Sequence, residues 1–366
     1  MELATLENLS ASGTRSALIE MARGLVERAR AEGRTEVALA ATVLWIEFED
    51  DSLETESRAL RLREAHDLAA VVEASGPRID LLLFEARSLM FDAEFEAAHL
   101  AMRRAQDLIN ESADNERRVE SYKLAAWLSL AQGRLAGATA LMDDAVRLAD
   151  TLAIRSLAAR TRYSRIVLRE TLGIVGPDDE VSLRALCDHF EASGDIFDQA
   201  LALTELSVLC ARRGEYSSSV DCSERGIELL DRLGCTAAGV QRRVQLAGYL
   251  SILGRLRDAT RWLRQALAMQ TGRDHALLVA HTRIELGRVL AASGRLPSAL
   301  TEVESALAVA ESANDRQLVA IAQEEVGVIR VRLSQPDLAL RSFMAAERSY
   351  RVFGDLAAAD AVRDSG

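Results

Sequence analysis

The sequence is poor in what a sheet protein, a secreted scaffold or a membrane protein needs. Aromatic residues are 4% of its 366 positions and proline occurs four times. So few rings and helix breakers leave little material for strands and turns. Cys187, Cys210, Cys222 and Cys235 include no CxxC pair, which excludes a zinc ribbon and a thioredoxin-type motif. In a reducing compartment they read as small apolar fillers; a Cys210–Cys222 bridge within one helix pair is the alternative. No apolar run approaches the roughly 18 residues of a membrane span. The opening MELATLENLSASGTRS lacks the basic start and apolar stretch of a secretory signal. Positive charge is short as well: Lys and Arg total 44 against 56 Asp and Glu, a net charge of −12. Such a chain repels phosphate backbones and anionic lipid, so neither nucleic acid nor membrane is an expected partner. Together these absences predict a soluble, cytoplasmic protein.

Catalytic signatures are missing too. There is no GxxxxGK(S/T) loop, no GxGxxG, no GxSxG elbow and no HExxH. His66, His99, His189, His275 and His281 are scattered, and Cys187 with His189 has no second pair to complete a zinc site. Paired carboxylates read as solvated helix faces. No catalytic, metal or cofactor-binding residue is assigned, and the expectation is a non-enzyme.

What the chain has is helix-forming composition and a period. Hydrophobic residues are 49%, chiefly Ala and Leu. Ala98 in DAEFEAA and Ala138 in QGRLAGA are 138 − 98 = 40 residues apart. Ser219 in RGEYSSS follows after 219 − 138 = 81, and Ala259, Ala299 and Ala339 follow at steps of 40. A fixed period of this size predicts an all-α, right-handed solenoid of stacked antiparallel helix pairs. Residues 280–319 form the clearest unit. Leu286, Gly287 and Leu290 share one face of a first helix. Gly294 ends it, Pro297 starts the second helix, and Ala299, Val303 and Ala306 face back. Leu246, Ala247, Leu250, Gly254, Ala259, Leu263 and Ala266 repeat this skeleton one unit earlier, and Val326, Gly327, Ala339, Phe343 and Ala346 one unit later. An earlier unit, with Ala126, Gly133, Ala138, Met142 and Ala145, puts Ala125 and Ser129 where leucines stand at 286 and 290. Closer helices or a neighbouring side chain must fill that space.

This skeleton resembles the tetratricopeptide repeat, over roughly residues 36–353, with a unit of about 40 residues rather than the usual 34 or so. The long variety is similar to repeats in bacterial regulators: sensor segments of large ATP-dependent transcription activators, peptide-responsive quorum-sensing regulators and some cyclic-dinucleotide signalling enzymes. The family's first-helix tryptophan is absent, with Arg283 and Tyr122 at its positions. The family's Lys and Asn clamp for a C-terminal carboxylate is not reproduced either, so chaperone-tail binding is not expected.

The period also sets boundaries. Residues 1–35 read as an N-terminal cap with a lone helix near 16–30. Residues 36–154 read as repeats whose first pair, 36–51 and 53–72, lacks a Gly turn. Residues 155–197 form a degenerate unit with a hinge loop at 171–180 that carries the one-residue excess. Residues 198–353 are repeats, and 354–366 are a tail with a weak apolar cap (Ala357, Ala358, Ala359, Val362). A weak cap implies that the C-terminal face meets a second domain, a second chain or a copy of itself.

Resemblance places the functional surface in the concave groove lined by first helices, where an extended peptide or partner helix would lie. Its positions map to Glu120, Lys123, Leu124 and Trp127, to Gln241, Val244, Gln245 and Gly248, and to His281, Ile284, Glu285 and Arg288. Trp127 is the candidate anchor, with packing between units as the alternative. Arg155, Arg160, Arg162, Arg165 and Arg169 stand on one helix against Glu170, with Arg162, Arg165 and Arg169 on one face. They read either as an anion site or as partners of Asp178, Asp179 and Glu180. The expected function is a non-enzymatic protein- or peptide-binding adaptor or regulator in bacterial signalling or transcription control. The alternative is the ligand-sensing segment of a larger signalling enzyme, such as a cyclic-dinucleotide cyclase, or of a transcription factor.

Overall fold

The computed structural model describes residues 2–49, 55–270 and 276–365. Regular structure among them consists of nineteen α-helices. The chain opens with α1 (Glu2–Leu9), α2 (Arg15–Ala31), α3 (Thr35–Glu49) and α4 (Thr55–Ala69). Fourteen helices follow: α5 (Ser75–Phe91), α6 (Phe95–Ser112), α7 (Asn115–Ala131), α8 (Leu135–Thr151), α9 (Arg155–Thr171), α10 (Pro177–Ser193), α11 (Ile196–Arg212), α12 (Tyr216–Leu233), α13 (Thr236–Ile252), α14 (Leu256–Met269), α15 (Ala276–Ala292), α16 (Leu296–Ser312), α17 (Arg316–Arg332) and α18 (Pro336–Phe353), with α5 packed on α6, α7 on α8, α9 on α10, α13 on α14, α15 on α16 and α17 on α18. The last helix is α19 (Leu356–Ser365). This is the α-solenoid architecture of consecutive packed helix pairs. The chain divides into two compact units, Met1–Leu209 with Glu228–Cys235, and Cys210–Ile227 with Thr236–Gly366.

Left-handed backbone marks the period. Ala93, Ala113, Gly133, Ala153 and Gly173 have positive φ at steps of 20, as do Gly194, Gly214, Gly234 and Gly254, and then Gly294, Asn314, Ser334 and Gly354. The forty-residue repeat is therefore two half-repeats, each a helix of 17 residues or so plus a short turn. Glycine adopts this turn freely, whereas Ala113 and Ala153 hold it at a cost of about 1–2 kcal/mol each. The step 194 − 173 = 21 locates the extra residue in the half-repeat holding α10.

Packing follows the skeleton read from the sequence. In the second unit Leu246, Leu250, Leu263, Leu286, Leu290 and Val303 are buried in one core. Gly287 lets the first helix close onto the second, since a Cβ there would sit 2.3 Å from Val303 Cγ2. Ala125 packs instead against Ala86, Ala98, Met102 and Leu128, while Leu168 of α9 packs with Ala126, Ala138 and Met142.

Three expectations need correction. The helix near residues 16–30 is not a lone cap. It is α2, which packs along α3 across the turn at Gly33, while α1 precedes it. Leu18, Ala22, Leu25 and Val26 form an apolar stripe on α2 that buries against Ala41 and Phe48. The turn between α3 and α4 lies outside the described residues. The loop at 171–180 is shorter than expected and spans 172–176. Pro177 starts α10, and Asp178, Asp179 and Glu180 form its first turn, where the helix dipole favours acids. The C-terminal tail is helical, and α19 buries Ala359 and Val362 with Phe343, Ala346 and Tyr350.

Candidate functional site

The first unit holds a cavity of about 480 Å³ lined mainly by three helices. Each supplies the same four positions, one repeat apart. From α3 come Ala40, Val43, Leu44 and Glu47, from α5 Asp80, Leu83, Phe84 and Arg87, and from α7 Glu120, Lys123, Leu124 and Trp127. Spacing of i, i+3, i+4 and i+7 puts each quartet on one helix face. The forty-residue step then brings the three faces into register as a groove. Its apolar lining is Val43, Leu44, Leu83, Phe84 and Leu124. Trp127 and Glu7 of α1 line the cavity as well.

Charges in and beside the groove are paired, between helices and within one helix. Arg87 bonds Glu47 at 3.1 Å between α5 and α3. Lys123, the chain's only lysine, bonds Glu120 at 2.9 Å, and its side chain is 15% exposed. Arg117 of α7 grips Asp80 of α5 with two bonds of 2.7 and 2.6 Å and reaches Asp114 at 2.8 Å. The bonds to Asp80 raise the Arg117 pKa against the opposing effect of burial. Among the described residues Glu7 is the lining carboxylate with no ion pair. Burial, then the nearby Asp80, pushes its pKa above the ordinary value, with Arg117 opposing. The groove thus offers apolar contact flanked by exchangeable ion pairs and a surplus negative charge.

The other candidate residues fall elsewhere. Counting 100° per residue, Arg162 lies about 200° round α9 from the groove-equivalent position 160. Arg162, Arg165 and Arg169 therefore point away from the groove. Arg162 pairs with Asp150 at 2.8 Å. Arg169 bonds Asp179 at 3.1 Å and the Ile174 carbonyl at 3.1 Å, which ties the 172–176 linker to α9. Arg160 bonds Asp198 at 2.5 Å and Asp195 at 2.9 Å. In the second unit Gln241 and His281 are exposed, and Gln245 accepts a bond from Arg242 at 3.2 Å. Glu285 and Glu325 share Arg288 at 2.6 and 2.7 Å, while Ile284, mapped to the groove, is buried. The sequence reading did not include Glu7, Asp80, Phe84 or Arg87. Stepping the 120, 123, 124, 127 quartet back by 40 and 80 residues finds the α5 and α3 faces. Nothing periodic points to Glu7.

No helix among the described residues is long and apolar enough to cross a membrane. Among the same residues no group of three His, Cys, Asp or Glu could hold a metal ion.

No protein-family model and no curated protein matches the chain. Solved structures do match its fold. It is similar to the apo form of the quorum sensor NprR from B. thuringiensis, with 11% identity and a TM-score of 0.58 over 95% of this chain and 97% of that one. It is similar to a Rap protein complexed with competence and sporulation factor, with 9% identity and a TM-score of 0.59 over 92% and 98%. A Signal Transduction ATPase with Numerous Domains with a tetratricopeptide repeat sensor, from Pyrococcus horikoshii, gives 11% identity and a TM-score of 0.65 over 93% of this chain and 54% of that one. By its fold the chain is a tetratricopeptide-like helical-repeat protein.

Proposed function

We propose that the chain is a non-enzymatic regulator that binds a peptide or an extended segment of a partner protein in the groove of its first unit. One observation carries the reading. The same four-residue face is presented three times, at a forty-residue step, around a cavity of about 480 Å³. A repeated face suits a ligand that is itself extended, because successive side chains can meet successive helices. Apolar side chains of the ligand would cover Phe84, Leu124 and Trp127, and its cationic groups would meet Glu7 and Glu47. Bacterial cytoplasmic signalling is the setting this reading implies, since the similar NprR is a quorum sensor and the similar Rap protein was solved with competence and sporulation factor. A second reading, the sensing segment of a longer signalling protein, is favoured by the similarity to little more than half of the tetratricopeptide-sensor ATPase.

Lys123 supplies the test. Reductive methylation with labelled formaldehyde keeps its charge and marks the single lysine and the α-amine, and the NMR signal lost in Lys123→Arg is the one that reports on the groove. Peptides selected from a random display library on the immobilised chain should shift that signal. Trp127→Ala should weaken them by about 2 kcal/mol or more, as for an interface anchor. Selected binders that leave the Lys123 signal in place and ignore Trp127→Ala would sink the groove reading.

A further inference from the structure

A second cavity, of about 600 Å³, lies in the first unit on the side of α9 away from the groove. Its origin is the degenerate unit. The linker between α9 and α10 has five residues, 172–176, where the one between α7 and α8 has three, and α10 packs less extensively on α9 than α8 does on α7. The pair splays and leaves a slot between α9, α10 and the end of α8. Along α9 the positions 155, 158, 159, 162, 165 and 166 follow helical spacing and all line the slot. Buried Ala158, Ala159 and Ile166 line it with Leu186 of α10, and Arg155, Arg162 and Arg165 line it as well.

The charge balance in the slot is one-sided. Among the described residues Asp150 is the only carboxylate that lines it, and Asp150 is already paired with Arg162 at 2.8 Å. Neither Arg155 nor Arg165 has a carboxylate partner among the described residues. The Arg165 Nε is shielded from solvent and meets no acceptor. A buried N–H of a charged group that bonds nothing is costly, and an oxyanion is the acceptor a guanidinium fork fits best. In the rest of α9 the arginines are committed: Arg160 to Asp195 and Asp198, Arg169 to Asp179. The two uncommitted guanidiniums are the ones over the apolar slot.

We propose that this slot binds a small amphipathic oxyanion, a carboxylate or phosphate monoester head on a short apolar body. The head sits among Arg155, Arg162 and Arg165, and the body lies along Ala158, Ala159, Ile166 and Leu186. The cavity has the size of ordinary small-molecule sites, about 300–1,000 Å³. The site is separate from the groove and does not rest on peptide binding there.

The test is calorimetric titration of the full chain with octyl phosphate below its micelle-forming concentration, with octanoate, with 1-octanol and with inorganic phosphate. Saturable binding of octyl phosphate or octanoate is expected, at least about tenfold tighter than octanol, which lacks the charge-assisted bonds, and than inorganic phosphate, which lacks the apolar body. Which of the two anions binds identifies the head. Arg165→Gln and Arg155→Gln should each weaken it by roughly tenfold. The groove variant Trp127→Ala should leave it unchanged. Arg155 is exposed, so its variant keeps the test open even if Arg165→Gln folds poorly. Equal binding of octanol, equal binding of inorganic phosphate, indifference to both arginine variants, or no binding of either anion would each overturn the proposal.

Discussion

Asp198 shows how much a single residue depends on neighbours distant in sequence. It stands in the first turn of α11, where it and Asp195 share one guanidinium, that of Arg160. Two carboxylates against one cation leave a surplus negative charge in a place with little water. Burial first, then the charge of Asp195, raises the Asp198 pKa from 3.8 to about 6, with Arg160 opposing. The sign of the consequence is fixed by linkage. Between 3.8 and about 6 the folded chain holds this proton more firmly than the unfolded chain does, so the contribution of Asp198 to stability falls as pH rises through that window. Asp198→Asn has no proton to lose. The wild type should therefore lose stability relative to the variant from pH 4 to pH 6, measured by urea unfolding at each pH, and the difference should level off above about pH 6. Parallel curves would mean that the pair titrates normally. The arginines of α9 are plain in the sequence, but their partners are not. Asp195 and Asp198 lie 35 and 38 residues from Arg160, at the start of the next first helix, so a reading of adjacent acids finds Asp179 for Arg169 and misses them.

Helix pairing is the part of the fold most legible in the chain. Ala247, Gly287 and Gly327 recur at steps of 40, each sixteen residues before a large partner, Leu263, Val303 and Phe343. The small residue is glycine where the partner is β-branched or aromatic. At Gly327 an added Cβ would lie 2.6 Å from Phe343 Cε1, inside a close-packed core. Gly248, on the same kind of helix, would meet nothing within 4 Å. Alanine gains about 1 kcal/mol over glycine in a helix interior, whereas overpacking a core costs about 1–3 kcal/mol. Gly248→Ala should stabilise the chain by roughly 0.5–1 kcal/mol in denaturant unfolding. Gly327→Ala should destabilise it by up to about 2 kcal/mol, the overpacking cost less the propensity gain. A gain at both sites would show that Phe343 can turn aside freely. The splaying of α9 from α10 was less legible. A one-residue excess reveals an irregular half-repeat, but the width of the slot depends on how the longer linker sets α10, and periodicity says nothing about that. The starting point of α10 was readable in principle, because Pro177 followed by three acids is a helix N-terminus rather than a hinge.

Across the molecule, a solenoid is held mainly by contacts between sequence neighbours, so the exceptions decide what moves together. One exception lies within the first unit. The Phe197 N–H bonds the Ala11 carbonyl at 3.0 Å, a separation of 197 − 11 = 186 positions. Beside it the Arg15 guanidinium lies 4.7 Å from the centre of the Phe197 ring and 5.6 Å from that of Phe48. The start of α2 is thereby tied to the start of α11, and α1, which carries Glu7 into the groove, is held by the same segment. No periodic pattern can announce such a tie, because periodicity describes each unit against the next and not the first against the last. Two cation–π contacts are worth about 1–2 kcal/mol together, enough to change local opening by roughly tenfold. In Arg15→Ala, amides of α1 and of the first turns of α2 and α11 should exchange with solvent about tenfold faster, while those of α17 and α18 in the second unit keep their rates. If the groove is the binding surface, a peptide bound there should also leave faster from this variant, since one of its walls is then less firmly held. Exchange that quickens equally in both units would mean that Arg15 supports global stability. Exchange that does not change would mean that the hydrogen bond to Ala11 holds the segment without the arginine.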